Sequence, residues 1–208
     1  MYSKALLHFK THDPLLHAAA AEFEIEDVKA SDDLFRDIVW TIIGQQLSGK
    51  AADTIFERFV KLLPNDLVLP EKILKLSDEK MRSAGLSGAK ARAIRSLSEH
   101  VLSGDVDLEK LPALPDSDVL TELTKVKGIG PWTAEMILMF SLGRTDVFSR
   151  GDLGLQKGLM HLYGWKKLPS DKRLSAVIAK WSPYRTYAAR ILWKIADKKK
   201  ARIARKRD

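Results

Sequence analysis

The chain has 208 residues, 45% hydrophobic and 30% charged, with 35 Lys and Arg against 27 Asp and Glu, a net charge of +8. That length supports a packed core, and the excess of positive charge suits a polyanionic partner. The absence of cysteine excludes disulfides, cysteine nucleophiles and cysteine-ligated zinc or iron–sulfur centres, and no apolar run approaches the ~20 residues of a membrane-spanning helix.

Helical spacing of apolar residues dominates. Asp13-Pro14 is a cap followed by proline at the first helical position, and it predicts a helix to about Ala21. Ser31-Asp32-Asp33 opens a second, carrying Leu34, Ile38, Trp40, Ile42 and Ile43 and ending near Gly44-Gln45-Gln46. A third runs from Ala51 to Leu63. Pro64 and Pro70 bracket a loop, and Ile73 to Leu76 and Asp78 to Ala84 read as two short helices. Gly88 to Leu102 is helical and closed by Ser103-Gly104. After a loop at Pro112 and Pro115, helices are predicted from Ser117 to Thr124 and from Pro131 to Leu142. Asp152 caps a helix to about Tyr163, Ser170-Asp171 starts one through Trp181, and Pro183 starts the last, which leads into the basic tail Lys198 to Arg207. The only β-like stretch, Asp146-Val147-Phe148, is short. The expected fold is all-α, with around ten helices.

The stretch Val126-Lys127-Gly128-Ile129-Gly130-Pro131-Trp132-Thr133-Ala134 reads as a tight hairpin between two helices. Glycine supplies backbone angles and close approach that other residues cannot, and Pro131 pre-sets the first helical turn. The N–H groups at that helix start have no intrahelical partner and lie at the positive end of the helix dipole, so they favour a phosphate oxygen. Asp152, twenty residues beyond Trp132, is a lone carboxylate past the end of that helix. Gly85-Leu86-Ser87-Gly88-Ala89-Lys90 faintly echoes the hairpin, and equally reads as an ordinary helix start after a turn.

These residues resemble the helix–hairpin–helix DNA glycosylase superfamily. Three further segments carry the resemblance: Trp40-x-x-Ile43-Gly-Gln-Gln-Leu-Ser48 with Lys50-Ala51-Ala52, then Gly85-Leu-Ser87 with Lys90, Ile94 and Leu97, then Trp181-x-Pro183-x-Arg185-x-Tyr187-Ala188 with Trp193. Within the superfamily the chain is most similar to the alkylation-repair branch, 3-methyladenine DNA glycosylase II, in the compact form that lacks an N-terminal β domain. Members that also cut the strand place a lysine where this chain has Trp132. The resemblance therefore implies a monofunctional enzyme of base excision repair. It would hydrolyse the N-glycosidic bond of flipped-out alkylated purines of the 3-methyladenine and 7-methylguanine type, leaving an abasic site. A non-catalytic helix–hairpin–helix DNA-binding protein and a monofunctional glycosylase for other damaged bases are the alternatives.

The resemblance also implies two helical lobes with the active-site cleft between them. Residues 33–142 would form the lobe containing the hairpin, and residues 1–32 plus 143–208 the other, with the basic tail. Asp152 would stabilise positive charge on the sugar as the base leaves, since an ionised carboxylate does this electrostatically. Asp146 is the rival carboxylate and reads as structural. Trp132 and Trp193 match pocket positions, with Tyr187 and Trp40 as neighbours that read more readily as core; a cationic base is attracted to an aromatic face. Gln46, with Leu47 beside it, would enter the base stack. Gly128, Gly130, Lys125, Lys127 and Arg150 would contact the DNA backbone. No organic cofactor is implied, and a sodium or potassium ion would sit among backbone carbonyls around Val126 and Gly128. The expected partner is double-stranded DNA containing damaged bases, with no membrane association, bound by a monomer. The first ten residues lack a signal-peptide core, so an intracellular location with the DNA is expected.

Overall fold

A computed structural model describes residues 1–204, with side chains through Lys199; Arg205, Lys206 and Arg207 of the basic tail lie outside the described residues. In chain order its helices are α1 (Tyr2–His12), α2 (Pro14–Ala20), α3 (Leu34–Gly44), α4 (Gly49–Val60), α5 (Pro70–Ile73), α6 (Asp78–Ser83), α7 (Gly88–Ser103), α8 (Asp116–Thr124), α9 (Pro131–Met136), α10 (Leu153–Tyr163), α11 (Asp171–Ala179) and α12 (Arg185–Ala204). No strand occurs among the described residues, so the fold is all-α. None of their helices is long and apolar enough to cross a membrane.

The chain divides into two compact units, one of Ala30–Leu142 and one of Met1–Lys29 with residues from Gly143 onward. Ser31 belongs with the first because its N–H donates to the Ser141 carbonyl at 2.8 Å.

In the unit of Ala30–Leu142, helix starts follow local capping chemistry. The side chains of Asp33, Ser48, Ser77 and Ser87 each accept an N–H from the first turn of the helix that follows, which satisfies a donor that has no intrahelical partner. Ile38, Ile42 and Ile43 of α3, Phe59 of α4 and Ile94 and Leu97 of α7 are fully buried and form the centre of its core.

In the unit that joins the N-terminal segment to residues from Gly143 onward, Asp13 is a hub. One carboxylate oxygen caps α2 through the Leu16 N–H, and the other accepts from the Tyr163 hydroxyl and, at 2.8 Å, from the Trp181 indole. Asp13 is nearly completely buried, and its polar oxygens are tolerated there because both are hydrogen-bonded. Burial, then the Asp13 contact, push the Tyr163 phenol far above its ordinary pKa.

Four boundaries differ from the sequence expectation. Helix α1 has no side-chain cap and buries only Ala5 and Phe9, so it offers neither a start signal nor a long apolar stripe. Pro70 opens α5 rather than closing a loop, because proline fits the first helical turn. The hairpin's second helix changes after Met136 into a π-helical turn, Ile137–Ser141, in which the Leu142 N–H reaches the Ile137 carbonyl; such turns recur at functional sites. The last helix begins at Arg185, not Pro183.

Candidate active site

The hairpin is built by a close approach. Gly128 has φ +97, and a Cβ there would stand 2.5 Å from the Ala93 Cβ on α7. Side chains rarely adopt that φ, and no carbon tolerates that distance, so the hairpin packs on α7 only with glycine. The Lys127 N–H donates to Ser96 Oγ of the same helix, and Val126 and Ile129 are buried beneath the turn. Gly130 differs. It stands in the cap position of α9 with no side-chain cap, and a Cβ there would meet nothing within 4 Å. No intramolecular packing asks for glycine at that point, which leaves room for a ligand against the backbone.

The loop after α3 carries Gln46 and Leu47, both exposed. Gln46 has φ +58, the left-handed region. Its neighbour Gln45 reaches across the unit: Nε2 donates to the Gly128 carbonyl at 3.1 Å and to Thr133 Oγ1 at 3.0 Å. Lys90 Nζ donates to the Ile43 carbonyl at 2.8 Å, and burial lowers its pKa. The loop is thus fastened from α7 and from the hairpin.

Asp152 caps α10: its Oδ1 accepts the Leu155 N–H at 2.7 Å. The same oxygen accepts the Trp193 indole Nε1–H from α12 at 2.9 Å. A Cβ on Gly154 would stand 2.9 Å from Trp193 Cδ1 and 3.0 Å from Asp152 Oδ1, so the indole seats over the start of α10 because residue 154 has no side chain. Leu153, between them, is 68% exposed, an apolar side chain held in solvent beside the carboxylate.

The other expected contributors have varied surroundings. Tyr187 is fully buried, donates to Asp27 Oδ1 at 3.0 Å and packs its ring against Tyr2. It is core, not pocket, because its hydroxyl is spent inside its own unit. Trp40 is partly exposed, and its indole donates to Asp53 Oδ1 at 3.0 Å, bracing α3 against α4. Lys125 is paired with Glu122 at 2.7 Å, which draws its ammonium back along α8 and offsets its charge. Lys127 keeps an exposed side chain. Arg150 is about half exposed and reaches Asp171 at 3.5 Å. Trp132, at the start of α9, is 38% exposed.

The carbonyls expected around an alkali cation are engaged. Val126 accepts the Ile129 N–H at 3.0 Å, and Gly128 accepts the Gln45 amide. A carbonyl oxygen has two lone pairs, so each of these oxygens keeps one acceptor position beyond the bond named.

Asp146 has a structural place. Its oxygens accept from Arg185 Nε at 2.7 Å, from Arg185 Nη2 at 2.9 Å and from Ser182 Oγ at 2.8 Å. Burial raises its pKa, but these donors outweigh burial and hold it below the usual carboxylate range.

Residues 39–183 match the family described as HhH-GPD superfamily base excision DNA repair protein. The chain belongs to that superfamily. It is 35% identical over 162 residues to DNA-3-methyladenine glycosylase 1 of Schizosaccharomyces pombe, covering 77% of this chain and 71% of that one. The solved structure of the S. pombe 3-methyladenine DNA glycosylase in complex with abasic DNA superposes with a TM-score of 0.81 at 31% identity, over 92% of this chain and 95% of that one. A DNA-3-methyladenine glycosidase from Bacillus halodurans superposes with a TM-score of 0.76 at 41% identity, over 91% and 88%.

Two contributors to this HhH-GPD chain's architecture escape sequence reasoning. Gln45 reads as the polar end of a helix. Gly154 lies in the first turn of α10, where no local pattern announces the indole packed against it.

Proposed function

We propose that this chain is a monofunctional DNA glycosylase of base excision repair. It hydrolyses the N-glycosidic bond of alkylated purines, 3-methyladenine and 7-methylguanine in type, flipped out of double-stranded DNA. The observation that carries the reading is the Asp152 carboxylate at the start of α10, oriented by the Leu155 and Trp193 N–H groups on one oxygen. A nucleotide must leave the stack before such a group can reach its sugar. The base departs with the electrons of the glycosidic bond, and positive charge builds on the sugar. The carboxylate stabilises that charge, water adds its oxygen to C1′, and a proton is released. An alkylated purine is already cationic, so its departure needs no acid catalyst. Trp132 has no amine to form a Schiff base, which supports hydrolysis without strand cutting.

The hairpin supports the DNA-binding half of the reading. The backbone around Gly130 is open, and Lys127 and Arg150 are exposed; phosphate contacts of this kind position the protein without reading sequence. Gln46 fills the gap left by the flipped base, and the enzyme acts as a monomer where the DNA is.

The test is incubation with methylated duplex DNA and chromatography of the freed bases, with Asp152→Asn alongside. Wild type is expected to release methylated purines. The variant is expected to release them at least about 100-fold more slowly while keeping its fold, because Asn caps a helix as well as Asp. No release by either protein, with DNA binding intact, overturns the reading.

A further inference from the structure

We infer that Gln45 is a positioning residue that couples the hairpin to the Gln46 loop, holding Gln46 in its left-handed conformation for entry into the base stack. The inference rests on the glycosylase reading above. A glutamine at φ +58 is held against its own preference, by about 1–2 kcal/mol, and such a conformation persists only where its surroundings over-determine it. The surroundings are specific. Each hydrogen of the Gln45 amide has an acceptor, the Gly128 carbonyl at 3.1 Å and Thr133 Oγ1 at 3.0 Å. Gly128 belongs to the hairpin turn, and Thr133 lies in the first turn of α9 and is nearly fully buried. On the other side of Gln46, the Leu47 N–H closes onto the Gly44 carbonyl at 3.0 Å. From α7, Lys90 holds the Ile43 carbonyl.

A side-chain amide can do this and its isosteres cannot. Methionine has the length but no donor. Glutamate can accept from Thr133 but presents an oxygen to the Gly128 carbonyl. The same peptide that shapes the hairpin is therefore the anchor for the loop, and a shift in one is felt in the other. Gln46 and the hairpin then meet DNA in a fixed register, without a separate ordering step at binding.

The experiment is a double-mutant cycle of Gln45→Met and Gln46→Ala. It reads base release from methylated duplex DNA and the fluorescence of a 2-aminopurine placed beside the lesion, which brightens when unstacked. Gln45→Met is expected to lower the rate of release and the unstacking signal about tenfold, as two lost hydrogen bonds imply, with melting temperature nearly unchanged. In the Gln46→Ala background the same substitution is expected to have little further effect. Thr133→Val, which removes one acceptor while keeping shape, is expected to give a smaller loss of the same kind, and it serves if Gln45→Met does not fold. Equal effects of Gln45→Met in both backgrounds, or none in wild type, overturn the inference while leaving the glycosylase reading intact. Absence of base release by the wild-type protein overturns that reading instead.

Discussion

Trp193 and Asp152 are joined by a 2.9 Å hydrogen bond from indole nitrogen to carboxylate oxygen, and that oxygen also caps α10. One atom thus sets the start of a helix, the seat of an aromatic ring and the orientation of a charge. Trp193→Phe keeps the ring and removes the N–H. Base release at saturating DNA is expected to fall about tenfold with little change in KM, measured by single-turnover and steady-state kinetics. An equal rise in KM with kcat unchanged would place Trp193 in binding alone.

Gly154 makes that bond geometrically possible. Gly154→Ala puts a methyl 2.9 Å from the indole Cδ1 and 3.0 Å from Asp152 Oδ1. Either the ring or α10 must shift, at a cost of about 1–3 kcal/mol. Urea denaturation should register that loss. Activity should fall to the level of Trp193→Phe, and the double variant should be no worse than either alone.

The two hairpin glycines are expected to respond oppositely. Gly128→Ala combines a left-handed φ with a Cβ 2.5 Å from Ala93 Cβ and should destabilise the fold by about 2–4 kcal/mol. Ala93→Gly should restore only part, since it relieves the clash and not the backbone. Gly130→Ala meets nothing within 4 Å, so its melting temperature should stay near wild type while affinity for abasic DNA drops. Binding by fluorescence anisotropy beside thermal denaturation separates the two.

Acid sensitivity should trace in part to Asp146. Its carboxyl is held below the ordinary range because the Arg185 and Ser182 donors outweigh burial. A carboxylate whose folded pKa lies below its unfolded value of about 3.9 contributes stability above that value. The contribution disappears as pH falls through the folded pKa. Melting temperature from pH 6 downward should therefore fall less steeply at the acid end in Asp146→Asn than in wild type, from a lower starting value. Parallel curves would show that the ion pair contributes nothing.

The helices were largely legible because their signals are local. Asp13-Pro14, Ser87, Asp152 and the Gly85 and Gly128 turns act within three or four residues, through capping and backbone angle, and those positions carry the same roles in the structure. Helix α1 was not legible, because it holds no cap and little apolar stripe. Family membership was legible too, since hairpin, loop and carboxylate segments recur in fixed order along the chain.

The sequence alone determined the all-α class, the hairpin, the carboxylate at a helix start and the absence of cysteine chemistry. Only the tertiary structure decided which distant side chains meet. Trp193 reaches Asp152 across 41 residues, and Gln45 reaches Gly128 across 83. Tyr187 turns inward to Asp27, and Lys125 is taken by Glu122. Periodicity and capping act over a few residues, whereas these pairings depend on how closely one helix approaches another. That distance is set by the size of every residue at the contact, and no local pattern carries it.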